Sequence, residues 1–547
     1  MRYGIVLKAF LLIELSCNYG YIFAQDSSCD NCIEYVKIPD SCNAACSNES
    51  YGKTFFSIRP QDSNSANRLV RMVNEDHSKY YDRFLWGCDV SFGYQQSFAN
   101  KSNNLLGSWF LFNDCNCVTV GLPNSTEQFD VDGLQLGLVT TNSLSGGPLG
   151  SLCLNPQLGN INTVFNVWFD LNTVLRGMWA RTVFSLTREK TTLRMRSSTH
   201  NAASGEYASG FNTIACNEAP IAYDSICKAF VGDTAIGDIP PLHYAKFFNG
   251  GKSKTALASI RFDIGIDAIR SVDGFLNSSL CFLVPTGNKP DGKYIFEPVI
   301  GANNSMQLGL VFSGAYNYLY YSCNSGLDVY VDATMTHLFQ AKQTRVLGLK
   351  NNGPGSQYLL LKKFDVSVDQ VLAGERVANV FAANTKVRAN IMIDASVMLH
   401  WYRWSGLFVD VGYNLWLRSA EKMSKVVGLR NFAPETYGIK GNLSLSKIND
   451  FSGFCIGDVQ TSSTTTLAQP AAADATTVTL DTCDIDSTVA LHPFACSNKL
   501  FTAIGYTRDL HRSNSRFIVS LEGEVEVGQK NRALNQWALN LNIGVSL

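Results

Sequence analysis

Residues 535–547 read NQWALNLNIGVSL, and the order of side chains within them decides the fold. Trp537, Leu539, Leu541, Ile543, Val545 and Leu547 occupy every odd position, and Gln536, Ala538, Asn540, Asn542, Gly544 and Ser546 fill the even ones. A strand turns successive side chains to opposite faces, so the stretch has one wholly apolar face and one small, polar face.

The same period runs through residues 387–419, VRANIMIDASVMLHWYRWSGLFVDVGYNLWLRS. In the first arm Val387, Ala389, Ile391, Ile393, Ala395, Val397, Leu399 and Trp401 oppose Arg388, Asn390, Asp394, Ser396 and His400. In the second, Leu407, Val409, Val411, Tyr413, Leu415 and Leu417 oppose Asp410, Gly412, Asn414 and Arg418. Four further arms repeat the pattern. Met306 to Tyr320 turns through SCNSG into Leu327 to Met335, whose opposite face carries Asp328 and Asp332; Ile260 to Ile266 opposes Arg261, Asp263 and Asp267; and Phe517 to Val527 opposes Glu522, Glu524 and Glu526. FLWGCDVSFGYQQSF, TVFNVWFDL, MWARTVFSL, SLCFLVPTG, YGIKGNLSLS and LFTAIGYT are weaker candidates.

Length separates these arms from those of a soluble sandwich. Soluble strands average about five to six residues, whereas a bilayer crossing takes about 9 to 11 tilted ones. The apolar face then meets lipid. An open edge would leave N–H and C=O groups unpaired in hydrocarbon, so the sheet must close. The expectation is an all-β, antiparallel, up-and-down transmembrane barrel of roughly 12 to 16 strands, with an even number.

Composition agrees. Over 547 residues, charged side chains make up 17% and aromatic ones 11%, with a mean hydropathy of -0.01. The charged share lies below the roughly 25% of soluble domains, so apolar surface is dispersed rather than massed. A formal net charge of -1 gives no reason to expect a nucleic-acid partner.

The first 24 residues carry Arg2 and Lys8, an apolar run from Ala9 to Leu15 broken by Glu14, and a small residue at Ala24; they read as a secretory signal peptide. Beyond it no stretch reaches the length of a membrane helix. Sixteen cysteines suit an oxidising compartment. Cys29, Cys32, Cys42 and Cys46 cluster after the cleavage site and are disulfide candidates, their connectivity open among three possibilities. Zinc at the same four is the less favoured reading. Residues 25–82 form a Cys-rich periplasmic, capping or plug segment, in which FFSIRPQDSNSANRLVRMV is open to a helix below the barrel. Residues 83–547 form the barrel, with long loops near 190–255, 342–386 and 447–497.

Aromatic residues gather at arm ends, as in HWYRW and YNYLYY. Tyr318, Tyr320, Trp401, Tyr413 and Trp537 are therefore expected at the lipid interfaces, ring in the apolar zone and polar tip at the headgroups. Alternating backwards from a final strand that ends in the periplasm places 447–497 outside the cell, where long loops belong. With all candidates counted, it places 342–386 in the periplasm, against the short-turn rule. Either QYLLLKKF is a missed strand, or the segment enters the lumen, with VSVDQVLAGERVANV as a helix.

On these residues the chain resembles a bacterial outer-membrane β-barrel. VPTGNKPDGKYIFEPVIG and FVDVGYNLWLRSAEKM resemble barrels distantly like porins and hydrocarbon or fatty-acid channels. The resemblance implies insertion by the outer-membrane assembly machinery, which reads a final strand usually ending in an aromatic residue; here the last residue is Leu547 and Trp537 stands further back.

If one face meets lipid, the lumen is lined by Arg261, Asp263, Asp267, Asp328, Asp332, Arg388, Asp394, His400, Asp410, Arg418, Glu522, Glu524 and Glu526. Mixed charge of this kind orients and filters polar solutes, or seals the lumen through mutual salt bridges. The glutamate row biases a channel toward cations unless basic neighbours neutralise it. Catalytic chemistry has little support: no close histidine pair, GxSxG elbow or P-loop is present, and His400 beside Asp394 reads as a lumen histidine rather than a dyad. No cofactor or metal is expected. The readings are a small-solute channel, a structural or adhesive barrel, and a soluble secreted β protein. Homo-oligomerisation is left open.

Overall fold

The computed structural model describes residues 51–61, 63, 85–98, 104–122, 128–138, 147–199, 222–237, 239–271, 273–322, 325–365, 370–403, 406–429, 432–440, 461–468, 478–510, 515–529 and 532–546. Cys29, Cys32, Cys42 and Cys46 lie outside them, as does the side chain of Tyr320.

Twelve strands close into one barrel. In chain order they are β1 (Trp86–Ser97), β2 (Gln157–Asp170), β3 (Met178–Thr192), β4 (Gly251–Ser271), β5 (Gly274–Pro285), β6 (Gln307–Ser322), β7 (Ser325–Leu338), β8 (Ile391–Tyr402), β9 (Leu407–Arg418), β10 (Ala495–Leu510), β11 (Ser515–Gly528) and β12 (Gln536–Ser546). Each pairs antiparallel with the next, and β12 returns to β1 through a register running from Gly87 opposite Ser546 to Ser97 opposite Gln536. Among the described residues no helix is long and apolar enough to cross a membrane. The crossing is made by strands whose ladders follow one another around the closed sheet, with register shifts only at Phe184/Leu186, Asp267/Ile269, Asn317/Leu319 and Tyr320/Ser322.

Parity along each strand does what hydrocarbon requires. Leu539, Leu541 and Ile543 of β12 are exposed on the outer face, while Ala538, Asn540 and Asn542 are buried inside. Ile264, Leu310, Val411, Leu500, Ile504 and Leu521 continue the outer belt around the barrel. On β8 the belt runs from Ile391 to Trp401; ten steps of about 3.4 Å, tilted by about 40°, give roughly 25 Å, the height of an outer-membrane apolar band. This is a closed β-barrel with an apolar belt tall enough to be buried in a bilayer.

The connections 171–177, 272–273, 323–324, 403–406 and 511–514, with both ends of the barrel sequence, lie at one rim. All the long connections, 98–156, 193–250, 286–306, 339–390 and 419–494, lie at the other. The strand ends that flank 342–386 and 447–497 are therefore at the same rim, which corrects the alternating count. That count takes YGIKGNLSLS as a crossing, whereas Tyr437–Ile439 is a three-residue strand at the edge of a small sheet with Leu360–Asp365 and Gln370–Arg376. The residues of QYLLLKKF thus make a strand outside the barrel, and VSVDQVLAGERVANV gives strand Gln370–Arg376 and only a four-residue helix, Val377–Val380.

The described parts of the long connections fold together into a cap. Its core joins Trp109, Phe110, Val118, Leu149, Phe230, Phe247, Tyr358 and Phe381, all nearly inaccessible. Cys117 and Cys153, directly opposite in a small sheet, are joined by a disulfide.

One sequence arm divides. Residues 387–401 read as one continuous strand, but the structure breaks them at Asn390: Ala382–Ala389 belongs to a three-stranded sheet with Ala341–Val346 and Glu421–Leu429, and β8 begins only at Ile391. Parity slips by one there, so Val387 and Ala389 are buried and Arg388 is exposed. Arg388 does not line the lumen.

Candidate lumen site and plug

The inward residues of the twelve strands come from the even phase of some and the odd phase of others, and they are mostly polar. Asp89, Asn162, Asn166, Arg181, Glu189, Arg261, Asp263, Asp328, Asp332, Asp394, His400, Asp410, Arg418, Lys499, Glu522, Glu524 and Glu526 are all buried within the barrel wall. Asp267, half-buried near the short-turn rim, accepts from Arg270 at 3.2 Å. Apolar side chains share the interior: the rings of Phe275, Tyr330 and Phe501 pack with Met398. Gly412 makes room for Phe501, whose ring would lie 2.1 Å from any Cβ added there.

At the long-loop rim the lumen is entered by residues 51–63. Backbone N–H groups of Gly52, Lys53 and Thr54 donate to Leu111, Trp109 and Val489 of the cap. Residues 55–61 carry no helix, so FFSIRPQ runs extended into the barrel mouth. Its centre is Arg59, 6% exposed. One terminal nitrogen donates to Glu526 at 2.8 Å; the other donates to Asp394 at 2.9 Å and to Asn414 Oδ1 at 2.8 Å. Asn414 in turn donates to Asp394 and to Ser396 Oγ, and Gln536 and Ser497 donate to Glu526. The guanidinium also lies 5.6 Å from the centre of the Trp416 ring. Gln61 extends the clamp, donating to Glu189 at 2.6 Å and accepting from the Gly301 N–H at 2.7 Å. Ser57 accepts from Asn303 at 2.7 Å and from Arg418. The segment thus ties β3, β8, β9, β11 and three long connections together through polar contacts.

Below it the wall satisfies its own charges. Arg181 and Arg261 both hold Asp263, each through an Nε contact of 2.8 Å, and Ser313 donates to Asp332. Lys499 meets Glu524 at 2.6 Å, and Asn542 reaches Glu522 at 3.4 Å. With Arg59 on Glu526 and Lys499 on Glu524, basic partners offset two members of the glutamate row that would otherwise favour cations. Nearer the short-turn rim, Asp328, His400 and Asp410 form one register row across β7, β8 and β9. His400 Nδ1 lies 2.6 Å from Asp410 Oδ1, and Tyr330, Tyr402 and Phe408 surround the imidazole. Asp394 is not its partner, being engaged by Arg59 instead, because cross-strand register outranks nearness along one strand.

Several members of this site escape the period-two reading. Arg181 and Glu189 share the phase of Ser185 and Thr187 along β3, a signal present in MWARTVFSLTREK but weak beside its apolar phase. Trp416 sits inward on a strand whose polar phase otherwise carries Asp410 and Asn414. Arg59 leaves no periodic signal at all. Among the aromatic candidates, Tyr318 and Trp401 are exposed near the short-turn rim, and Trp537 packs on Tyr94 near the other, centroids 5.6 Å apart. Tyr413 stands mid-strand, where its hydroxyl donates to Asn498 Oδ1; a partner on β10 replaces the headgroup it was expected to reach.

In the cap, burial and the nearby Arg418 guanidinium hold His492 well below the usual histidine range. Its Nδ1 lies 2.9 Å from the Pro493 carbonyl oxygen. Glu421 accepts from the His492 N–H at 3.0 Å and from Arg345 at 3.4 Å, which stitches the cap to the mouth.

Comparison with protein-family models and with curated sequences returns no match. Among solved structures, the chain is similar to an outer membrane channel from Pseudomonas putida F1, at 6% identity over 85% of this chain and 97% of that one, with a TM-score of 0.34. It is similar to the beta domain of the Bordetella autotransporter BrkA, at 6% identity over 85% and 100%, TM-score 0.29. It is also similar to a deletion mutant of the monoaromatic hydrocarbon channel TodX, at 6% identity over 85% and 90%, TM-score 0.29. At such scores the likeness carries no argument, and the closed barrel with its apolar exterior rests on the strand pairing and burial of the chain itself.

Proposed function

We propose that the protein is a gated outer-membrane channel for small solutes, closed at its long-loop mouth by residues 51–63. The observation that carries this reading is the clamp around Arg59. The segment fills the mouth with charge-assisted and neutral hydrogen bonds, and each such bond exchanges for water at a net cost of only about 0.5–3 kcal/mol. Phe56 anchors the segment in the cap against Trp109 and Phe296, and the polar stretch beyond it, held by hydrogen bonds around Arg59, leaves the mouth without unmaking that core. Behind it stands a wall of both charge signs, suited to orienting a polar or amphipathic solute. By the rule that turns face the periplasm and long loops the exterior, the plugged mouth opens outward.

A second reading, a surface-contact barrel, draws on the folded cap, whose disulfide and apolar core make a stable platform outside the membrane. Planar-bilayer recording of the full-length protein separates the two. A gated channel gives rare, discrete openings that multiply when the clamp is weakened. A barrel with no steady or intermittent current under either condition would sink the channel reading.

A further inference from the structure

The three-stranded sheet formed by 341–346, 382–389 and 421–429 continues the barrel wall beyond the apolar belt. Its strand order repeats that of β7, β8 and β9, and it joins them through only one or two residues at 339–340, 390 and 419–420. Where parity slips, the character of the exposed face changes from apolar to basic. Phe339 and Ile391 end the apolar belt on these strands; beyond them Lys342, Arg388 and Lys422 are exposed and Lys386 half-buried, with Val426 the one exposed large apolar side chain among the described residues of the three strands. Arg388 stands three residues past Ile391, about 10 Å along the strand, within the headgroup layer that flanks the hydrocarbon core.

This face concentrates positive charge in a chain whose formal net charge is -1. Lys342 is directly opposite Lys386, and Arg388 directly opposite Lys422. Like charges so placed destabilise a sheet. Glu421 is the one acidic residue in the three strands, and it is buried on the other face against Arg345 and the His492 N–H. Among the described residues none of the four cations forms an ion pair, and Gln340, Asn384 and Ser424 fill the gaps between them with neutral polar groups. A repulsive basic surface set at headgroup height calls for anions supplied by the membrane.

We propose that Lys342, Lys386, Arg388 and Lys422 bind the phosphate groups of lipids in the leaflet at the long-loop end. The inference rests on the membrane-spanning barrel and is independent of conduction through it. Phosphates bridging the cross-strand pairs relieve their repulsion, and fix both the depth of the barrel and the cap above it. The guanidinium of Arg388 supplies the forked donor that suits a phosphate oxygen pair.

The test is native mass spectrometry of the full-length protein in neutral detergent, titrated with bisphosphorylated lipid A or with phosphatidylcholine. A basic residue near an anionic lipid surface contributes about fivefold in affinity. The K342Q/K386Q and R388Q/K422Q variants should each weaken lipid A binding about 25-fold, and the quadruple variant about 600-fold, with phosphatidylcholine unaffected. The pair variants remove a repulsion from an exposed face, so they fold even if the quadruple variant does not. Equal lipid A affinity in wild type and both pair variants overturns the proposal. So does an equal loss in K289Q, which removes an exposed cation elsewhere. Displacement of lipid A by millimolar inorganic phosphate would assign the face to free phosphate and overturn the lipid assignment.

Discussion

The clamp at Arg59 makes a prediction that can be carried to a number. In R59M the long apolar side chain keeps most of the volume beside Trp416, but Asp394 and Glu526 lose the cation each holds at 2.9 and 2.8 Å. Removing one partner of a buried ion pair destabilises by about 3–5 kcal/mol, because the remaining charge is left buried and uncompensated. That penalty falls on the closed state alone, since water admitted on opening solvates both carboxylates. At 1.4 kcal/mol per factor of ten, the closed-to-open ratio should drop by about two to three and a half powers of ten. A wild-type channel open about one part in a thousand of the time would then be open for a tenth or more of it. The assay is single-channel recording in planar bilayers, with the thermal melt of the same preparation as a check on folding. The triple variant R59M/D394N/E526Q, in which no unpaired charge remains, should close again to within about tenfold of wild type. If R59M conducts no more than wild type while its melt shows the expected loss, the clamp does not gate the barrel.

Further predictions bear on other parts of the molecule. V411R places a cation at mid-belt on the lipid face, where it should cost roughly 2–4 kcal/mol, read as a lower urea midpoint for folding into lipid vesicles; an unchanged midpoint would mean that Val411 does not meet hydrocarbon. Reduction of Cys117–Cys153, which closes a loop of sequence separation 36, should loosen the cap by about 4 kcal/mol in the chain-entropy account, seen as faster amide exchange in 117–153 with the barrel strands unchanged. His492 has its folded pKa held down by burial and by Arg418, Arg345 and Lys53, with only the Pro493 carbonyl opposing. Its sign is therefore that of a buried neutral base: cap stability is fully present above about pH 6.5 and falls by up to about 1.4 kcal/mol per unit as pH drops below it. H492Q should flatten that acid limb, and a limb of unchanged slope would remove His492 as its cause.

What the sequence decides by itself is the solvent of each strand face. Alternation over a dozen residues in NQWALNLNIGVSL or SRFIVSLEGEVEVG allows only one side to be lipid, and unpaired backbone in hydrocarbon then forces closure; these are local and one-dimensional constraints, so they are written in order along the chain. The inward placement of Asp263, Asp332, Asp394, His400, Asp410 and the Glu522, Glu524, Glu526 row follows from the same parity. Partner choice does not. Whether Asp394 meets His400 or Arg59 depends on register between strands and on a segment more than 300 residues away, and no period in the chain encodes either. The slip at Asn390 is equally silent: Arg388 continues the polar phase of its arm, and only the turn of three adjacent strands out of the belt moves it from lumen to exterior. The cap and the plug are likewise products of tertiary structure, because their core is assembled from five separate connections whose apolar residues have no shared period until the closed barrel brings one rim's loops together.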